Sequence, residues 1–281
     1  MSIDNDLSAG ESAIQISNVW KIFGDRADEA LRAIREEGLG KAEVLETYNA
    51  VVGVADVSLE VKKGEIFCVM GLSGSGKSTL VRHFNRLLEP TAGKIEIHGT
   101  DVMALGPGEL MEFRNRKIGM VFQNFALLPH RSVLDNVAMP LEIRNINKNE
   151  RMRRAAKMLK TVELDAWGNK FAHELSGGMQ QRVGLARAMA VTPQCILMDE
   201  PFSALDDSTR VSVREYFKST LEKNQTNAII VTHDPDEAVK LCDYFIVIKG
   251  VGDIFTVEKE SIDAVGLTEE LAHSSSMKNS T

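Results

Sequence analysis

The chain has 281 residues, of which 43% are hydrophobic and 26% charged, and a formal net charge of −7. That length allows one large domain or two small ones around a sizeable core, and the acidic balance argues against nucleic acid as a partner, because such binders carry a basic footprint. The polar, acidic start shows no basic segment ahead of an apolar one, and no apolar run approaches the roughly 20 residues that cross a bilayer, so the sequence reads as cytoplasmic, with membrane association made through partners.

Residues 1–13 read as a flexible start. Residues 14–23 alternate as a strand, and Gly24 ends it. From 25 to 50 the composition turns charged and helical, with Ala30, Leu31, Ile34 and Leu39 as a weak apolar stripe. Strand character returns over 51–61 and closes in the turn Lys62-Lys63-Gly64. Residues 65–70 are almost continuously apolar, the pattern of a strand covered on both faces. A glycine-rich loop follows, then a helix marked by Leu80, Val81, Phe84, Leu87 and Leu88 and stopped by Pro90. Residues 94–98 read as a short strand between glycines.

The middle of the chain, about 106–172, reads mostly as helix. Met152, Ala155, Ala156, Leu159 and Val162 form its clearest stripe, and Asn147 with Glu150 resembles a capping box. The basic cluster Arg151, Arg153, Arg154 and Lys157 reads as a solvated helix face rather than a phosphate patch. Strands follow at 195–198 and 228–232 with a helix over 208–222 between them, and the final strand is 244–248. One domain is expected over 14–260, with a polar tail over 261–281. Cys68, Cys195 and Cys242 make no metal-ligand spacing. Each lies in or beside an apolar stretch and reads as a small buried hydrophobe in a reducing compartment.

Gly71-Leu72-Ser73-Gly74-Ser75-Gly76-Lys77-Ser78, with Thr79 behind it, fits the pattern GxxxxGK[ST]. The glycines let backbone N–H groups curl around phosphate oxygens. Lys77 reaches the outer phosphates, Ser78 offers a hydroxyl to Mg²⁺, and the helix start adds partial positive charge. Strand before and helix after are the context such a loop needs. The apolar run 195–198 ends in Asp199-Glu200, two carboxylates at the edge of a sheet where ligands of open α/β sheets bind. Asp199 suits a hydrated Mg²⁺, and Glu200 suits orientation of an attacking water.

Leu175-Ser176-Gly177-Gly178-Met179-Gln180-Gln181-Arg182 is a small-residue turn ahead of a helix. Taken alone, Ser-Gly-Gly is a turn. Placed before an Asp-Glu strand, it resembles the signature of ABC ATPases, and the resemblance spreads over nearly the whole chain. Gln123 looks like the Q-loop glutamine, and residues 203–206, ending in Asp206, look like the D-loop. His233 looks like the switch histidine, although by itself it reads as a loop or capping residue. Phe23 matches the aromatic that stacks on adenine, with Trp20 as its rival; Phe23 is preferred because the family aromatic stands just before the glycine.

A closer resemblance is to the ATPase subunits of glycine betaine/proline uptake systems. It is carried by Trp20–Gly24 with the insertion at 25–50, by 66–82, and by 121–130. Two departures stand out: too few residues follow His233 for paired CBS modules, and the usual hairpin after the last core strand is blurred at 249–256.

The resemblance implies an α/β fold: a P-loop core with a mostly parallel sheet, an N-terminal antiparallel β portion and an inserted helical subdomain. It implies a head-to-tail dimer with a second copy, each ATP lying between one P-loop and the other chain's Ser176, Gly177 and Gly178. Catalysis falls to Glu200, His233 and Gln123, with Ser78, Gln123 and Asp199 on the metal and Asp206 near the nucleotide. Transmembrane permease subunits would dock near 123–130 on the cytoplasmic face of the inner membrane, served indirectly by a solute-binding protein. The solute would be a methylated-ammonium osmolyte: glycine betaine, proline betaine, choline or trimethylamine N-oxide. The alternatives are an importer for another small solute such as an amino acid, a non-transport ABC ATPase, or a nucleotide-binding module without turnover.

Overall fold

The computed structural model describes residues 11–250 and 253–258. Their elements, in chain order, are β1 (Ser12–Phe23), α1 (Ala27–Glu37), α2 (Lys41–Tyr48), β2 (Val51–Lys62), β3 (Ile66–Gly71), α3 (Lys77–Phe84), β4 (Ala92–Ile97) and β5 (Thr100–Asp101). Then come α4 (Pro107–Arg116), β6 (Ile118–Val121), α5 (Val133–Ile143), α6 (Lys148–Thr161), α7 (Gly177–Met189) and β7 (Cys195–Asp199). The chain closes with α8 (Asp207–Asn224), β8 (Asn227–Val231), α9 (Pro235–Leu241), β9 (Tyr244–Gly250) and β10 (Asp253–Glu258). Two compact units share these elements. The first takes the chain up to Lys63, Cys68–Leu105 and His233 onward; the second takes Gly64–Phe67 and Gly106–Thr232.

In the first unit, β1 pairs antiparallel with β2 on one side and β4 on the other, in the order β2-β1-β4-β5. Ile14 and Ile16 of β1 stand opposite Ile97 and Ile95 of β4, and all four are fully buried. The insertion forms two short helices. Gly38 and Asn49, both left-handed, close α1 and α2 by donating their N–H groups to Ile34 and Leu45. Ala30, Leu31 and Val44 from these helices pack with Trp20, Ile22 and Val52 of the sheet. The expected Ile34 and Leu39 sit at the edge of that cluster.

Helix α3 is shorter than its sequence pattern. It ends at Phe84, because Arg86 turns left-handed (φ 49°) and Asn85 Oδ1 accepts from the Leu87 N–H at 3.1 Å. Leu87 is therefore exposed and Pro90 lies well beyond the stop. β1 starts at Ser12, inside the stretch expected to be flexible. The strand 244–248 is not the last: β10 pairs antiparallel with β9, from Ile254 opposite Ile248 to Glu258 opposite Tyr244, so the hairpin that the sequence blurs is formed. The tail 261–281 lies outside the described residues.

In the second unit β8, β7 and β6 lie side by side in that order, all parallel. β6 corrects the expectation of helix through 106–172: Ile118 to Val121 pair with Cys195 to Met198. β7 and β8 are buried at every position, as strands covered on both faces must be. Helices α5, α6 and α7 enclose a separate apolar cluster that includes Val137, Leu141, Leu159 and Val183. In α6, Ala156 is exposed and Met158 takes its place against the cluster. Asn147 caps α6 by accepting from the Glu150 N–H at 3.0 Å, while the Glu150 carboxylate turns to Arg153 and Arg154. That pairing bears out the solvated reading of the basic cluster. Among the described residues no helix is long and apolar enough to cross a membrane.

Candidate functional site

In the first unit, the glycine loop joins the buried strand β3 to α3. Lys77 is 8% exposed and folds back over the loop, donating from Nζ to the carbonyls of Gly71 and Leu72 at 2.8 Å each. Ser75 is buried, and its Oγ has no hydrogen-bond partner, while its N–H donates to Leu72 O at 3.2 Å. Ser73 and Gly74 are exposed, and Ser78 and Thr79 half-buried, at the mouth of the loop. A buried cation, an orphaned hydroxyl and the start of a helix in one small loop fit a phosphate chain.

Gly76 adopts φ 97°, and a Cβ on it would run into the carbonyl oxygen of Gly53. Only glycine lets the loop lie so close to β2. Gly53 in turn lies beneath Phe23: a Cβ there would stand 2.6 Å from Phe23 Cε2. The Phe23 ring is 41% exposed, and the Lys21 ammonium lies 5.1 Å from its centre. Trp20 is buried in the α1–α2 cluster and donates from Nε1 to Asp56 Oδ1 at 3.3 Å. So Phe23, not Trp20, is the open ring beside the loop. His233 is exposed just ahead of α9, which Asp234 caps by accepting from the N–H groups of Asp236 and Glu237.

In the second unit, parallel register sets Val121 beside Met198 and Asp199 beside Val231, so the carboxyl ends of β6, β7 and β8 lie level. Gln123 and Glu200 emerge from adjacent strand ends, and Gln123 Nε2 donates to Glu200 Oε2 at 3.3 Å. Asp199 is buried at the end of β7. Glu200 adopts φ 51°, a sparsely populated conformation for a residue with a side chain. It is held there by its N–H to Val231 O at 2.9 Å and by Gln181 Nε2 and Ser203 Oγ, which donate to its carbonyl at 2.9 and 3.1 Å.

Ser176 caps α7, its Oγ accepting from the Met179 N–H at 3.3 Å, and Gly177 is open to solvent. A Cβ on Gly178 would stand 2.8 Å from the Ala204 carbonyl. Asp206 caps α8: its Oδ1 accepts from the Thr209 N–H at 3.0 Å and the Ser208 hydroxyl at 2.7 Å. Those bonds, the Thr209 N–H first, hold its carboxyl well below the usual carboxylate range. Two residues of this framework received no role from motif reading. Gln181 is one; the other is Arg187, 7% exposed, whose guanidinium forks onto the carbonyls of Phe125 and Ala126 at 2.7 and 2.6 Å. Both of those residues have positive φ. The sequence signal was a polar residue on the buried side of α7, which spacing alone does not separate from a surface position.

The family described as ABC transporter matches residues 54–203, more than half of the chain, from ahead of the loop 71–78 to beyond Glu200. The chain belongs to the ABC transporter family. Among its ABC relatives, the glycine betaine/proline betaine transport system ATP-binding protein ProV of Escherichia coli (strain K12) is 45% identical over 87% of this chain and 60% of its own length. The trimethylamine N-oxide transport system ATP-binding protein TmoW of Pelagibacter ubique (strain HTCC1062) is 46% identical over 85% of this chain and 70% of its own. The chain thus spans about 60% of the length of ProV. A dimeric ABC cassette in a post-hydrolysis state, bound to ADP and Pi, superposes with a TM-score of 0.73 at 32% identity, covering 86% of this chain and 97% of the other. The expected ABC fold, with its antiparallel and parallel sheets, is therefore the fold observed.

Proposed function

We propose that the chain is the ATP-hydrolysing subunit of an importer for methylated-ammonium osmolytes, glycine betaine first among them. The observation that carries the hydrolytic part is Glu200, pinned through its backbone and met by Gln123 at 3.3 Å. Glu200 orients and polarises the water that attacks the γ-phosphorus, and Lys77 neutralises charge on the phosphates. Ser75 and the loop N–H groups hold the phosphate chain, and Phe23 stacks on adenine. His233 is assigned to the γ-phosphate. The hydroxyl of Ser78, the amide oxygen of Gln123 and the carboxylate of Asp199 are each oxygen donors of the kind a hard cation takes. They would hold Mg²⁺, which offsets the charge on the transferring group.

In this reading two copies close head to tail on ATP, each lending Ser176, Gly177 and Gly178 to the other's phosphates. Closure and reopening form the two-state element that a permease reads. A cavity of about 330 Å³ lined by Ile118, Met120, Phe122, Ala126, Met139 and Ile143 borders the 123–130 segment and supports docking of the permease there. The chain would then sit peripherally on the cytoplasmic face of the membrane. The solute part rests on the 25–50 insertion and on the likeness to ProV and TmoW. The test is ATPase activity of the complex reconstituted with its permease and binding protein. Stimulation by glycine betaine or trimethylamine N-oxide is expected. Stimulation by sugars or ordinary amino acids alone would overturn the solute assignment and leave the hydrolytic one standing.

A further inference from the structure

Helix α7 carries a buried amide to which the function proposed above assigns no role. Gln181 lies one turn beyond Gly178 and is 1% exposed. Both ends of its amide are used: Nε2 donates to the Glu200 carbonyl at 2.9 Å, and Oε1 accepts from the Ala204 N–H at 2.9 Å. Gly178 lies directly against the Ala204 carbonyl. Residues 178–181 and 200–204 therefore touch at three places. A group that donates at one end and accepts at the other is needed to serve both backbone sites; a carboxylate only accepts, and a thioether does neither usefully. The Gln181 side chain itself is closed to water, so either bond left unmade would leave its own amide desolvated.

The residue held this way is not an ordinary one. Glu200 is at φ 51°, a conformation that persists where surrounding bonds over-determine it. Gln181 supplies one of those bonds and so helps to fix the direction of the Glu200 carboxylate.

We propose that Gln181 is a positioning residue that couples the two ATP sites of the dimer. The inference rests on the function proposed above, in which Ser176–Gly178 of a chain engage the nucleotide held by its partner, while Glu200 acts on the nucleotide of its own P-loop. Within one chain, Gln181 then joins a segment that reads one site to a carboxylate that works in the other. Engagement of the signature by the far nucleotide sets the near Glu200 for attack, and loss of that engagement releases it.

The test compares ATP hydrolysis by the purified full-length chain with that of Gln181→Met, which keeps the volume without either bond, and Gln181→Glu, which keeps the acceptor toward Ala204. In Gln181→Met, kcat is expected to fall about 10- to 100-fold with the ATP dissociation constant within about twofold, and the Hill coefficient to drop from about 2 towards 1. Gln181→Glu should recover activity as pH falls, because the protonated carboxyl donates to the Glu200 carbonyl again. Amide hydrogen exchange at Ala204 should be faster in Gln181→Met and near wild type in Gln181→Glu, whatever the activity. A Gln181→Met chain that merely melts earlier, with kcat per folded molecule and Hill coefficient unchanged, would overturn the coupling. So would Ala204 exchange that does not respond. A wild-type chain that binds ATP and does not hydrolyse it would overturn the hydrolytic reading, and the coupling with it. That outcome is told apart by the wild-type measurement alone.

Discussion

Two aromatic side chains three residues apart in β1 meet opposite fates. Trp20 is enclosed by the α1–α2 insertion, whereas Phe23 closes the strand as an exposed ring over Gly53, whose carbonyl abuts Gly76 of the phosphate loop. Phe23→Ala should therefore weaken ATP binding by about 1–3 kcal/mol, the scale of one base–aromatic stack, with little change in stability. Trp20→Ala should do the opposite, costing about 3–5 kcal/mol of folding stability because a buried ring leaves a cavity. Titration with a fluorescent ATP analogue, paired with denaturant melts, separates the two. The reverse ranking would exchange their roles. At this scale the sequence was informative wherever chemistry is local. The loop 71–78 between β3 and α3 and the pair Asp199-Glu200 at the end of β7 stand where the sequence placed them. The bonding roles of Gln181 and Arg187 were not legible. Their partners are backbone atoms 19 and more than 60 positions away, and no local pattern encodes a carbonyl.

Helix α3 shows what periodicity leaves out. Leu87 and Leu88 have helical spacing with Leu80 and Phe84, yet the helix stops at Phe84, where His83 and Asn85 bind the backbone of the following turn. His83 is fully buried, and its Nδ1 lies 2.7 Å from the Leu88 carbonyl. A carbonyl only accepts, so Nδ1 carries a proton, and burial favours the neutral ring over the charged one. Burial pushes its pKa down. The folded chain thus takes up a proton less readily than the unfolded one, in which histidine titrates near about 6.5. The contribution to stability is whole above that pH and is lost as pH falls from there towards the folded value. Urea melts at about pH 7.5 and about pH 5.5 should show a lower midpoint at the acid end. In His83→Gln that difference should shrink. An equal drop in both proteins would place the sensitivity elsewhere. β6 went unseen for a related reason: Ile-Gly-Met-Val is too short to alternate, and its register is set by β7, more than 70 residues away.

At the scale of the whole molecule, the proposed cycle turns on a dimer that forms around ATP and parts after hydrolysis. Glu200→Gln keeps the backbone bonds of residue 200 and removes the carboxylate that works on water. It should bind ATP, lose turnover by about a hundredfold or more, and run as a dimer on gel filtration with ATP and as a monomer without it. Turnover near wild type would remove Glu200 from the catalytic role. The α/β class and the order of most strands were legible along the chain, because apolar runs and turn residues are local signals. The division into two units was not, since it depends on which distant segments pack together.

The burial of all three thiols has a practical outcome. Cys68, Cys195 and Cys242 are each fully enclosed, and burial pushes the Cys195 thiol up to about 12. Thiolate is the reactive form, so the native chain should be nearly inert to maleimide and to disulfide exchange. Alkylation then becomes a clock for opening. Because Cys195 begins β7 in the second unit and Cys242 follows α9 in the first, mass mapping of which thiol is tagged first would time the exposure of each half separately. The same inertness allows one engineered surface cysteine to carry a dye while the native three stay in place.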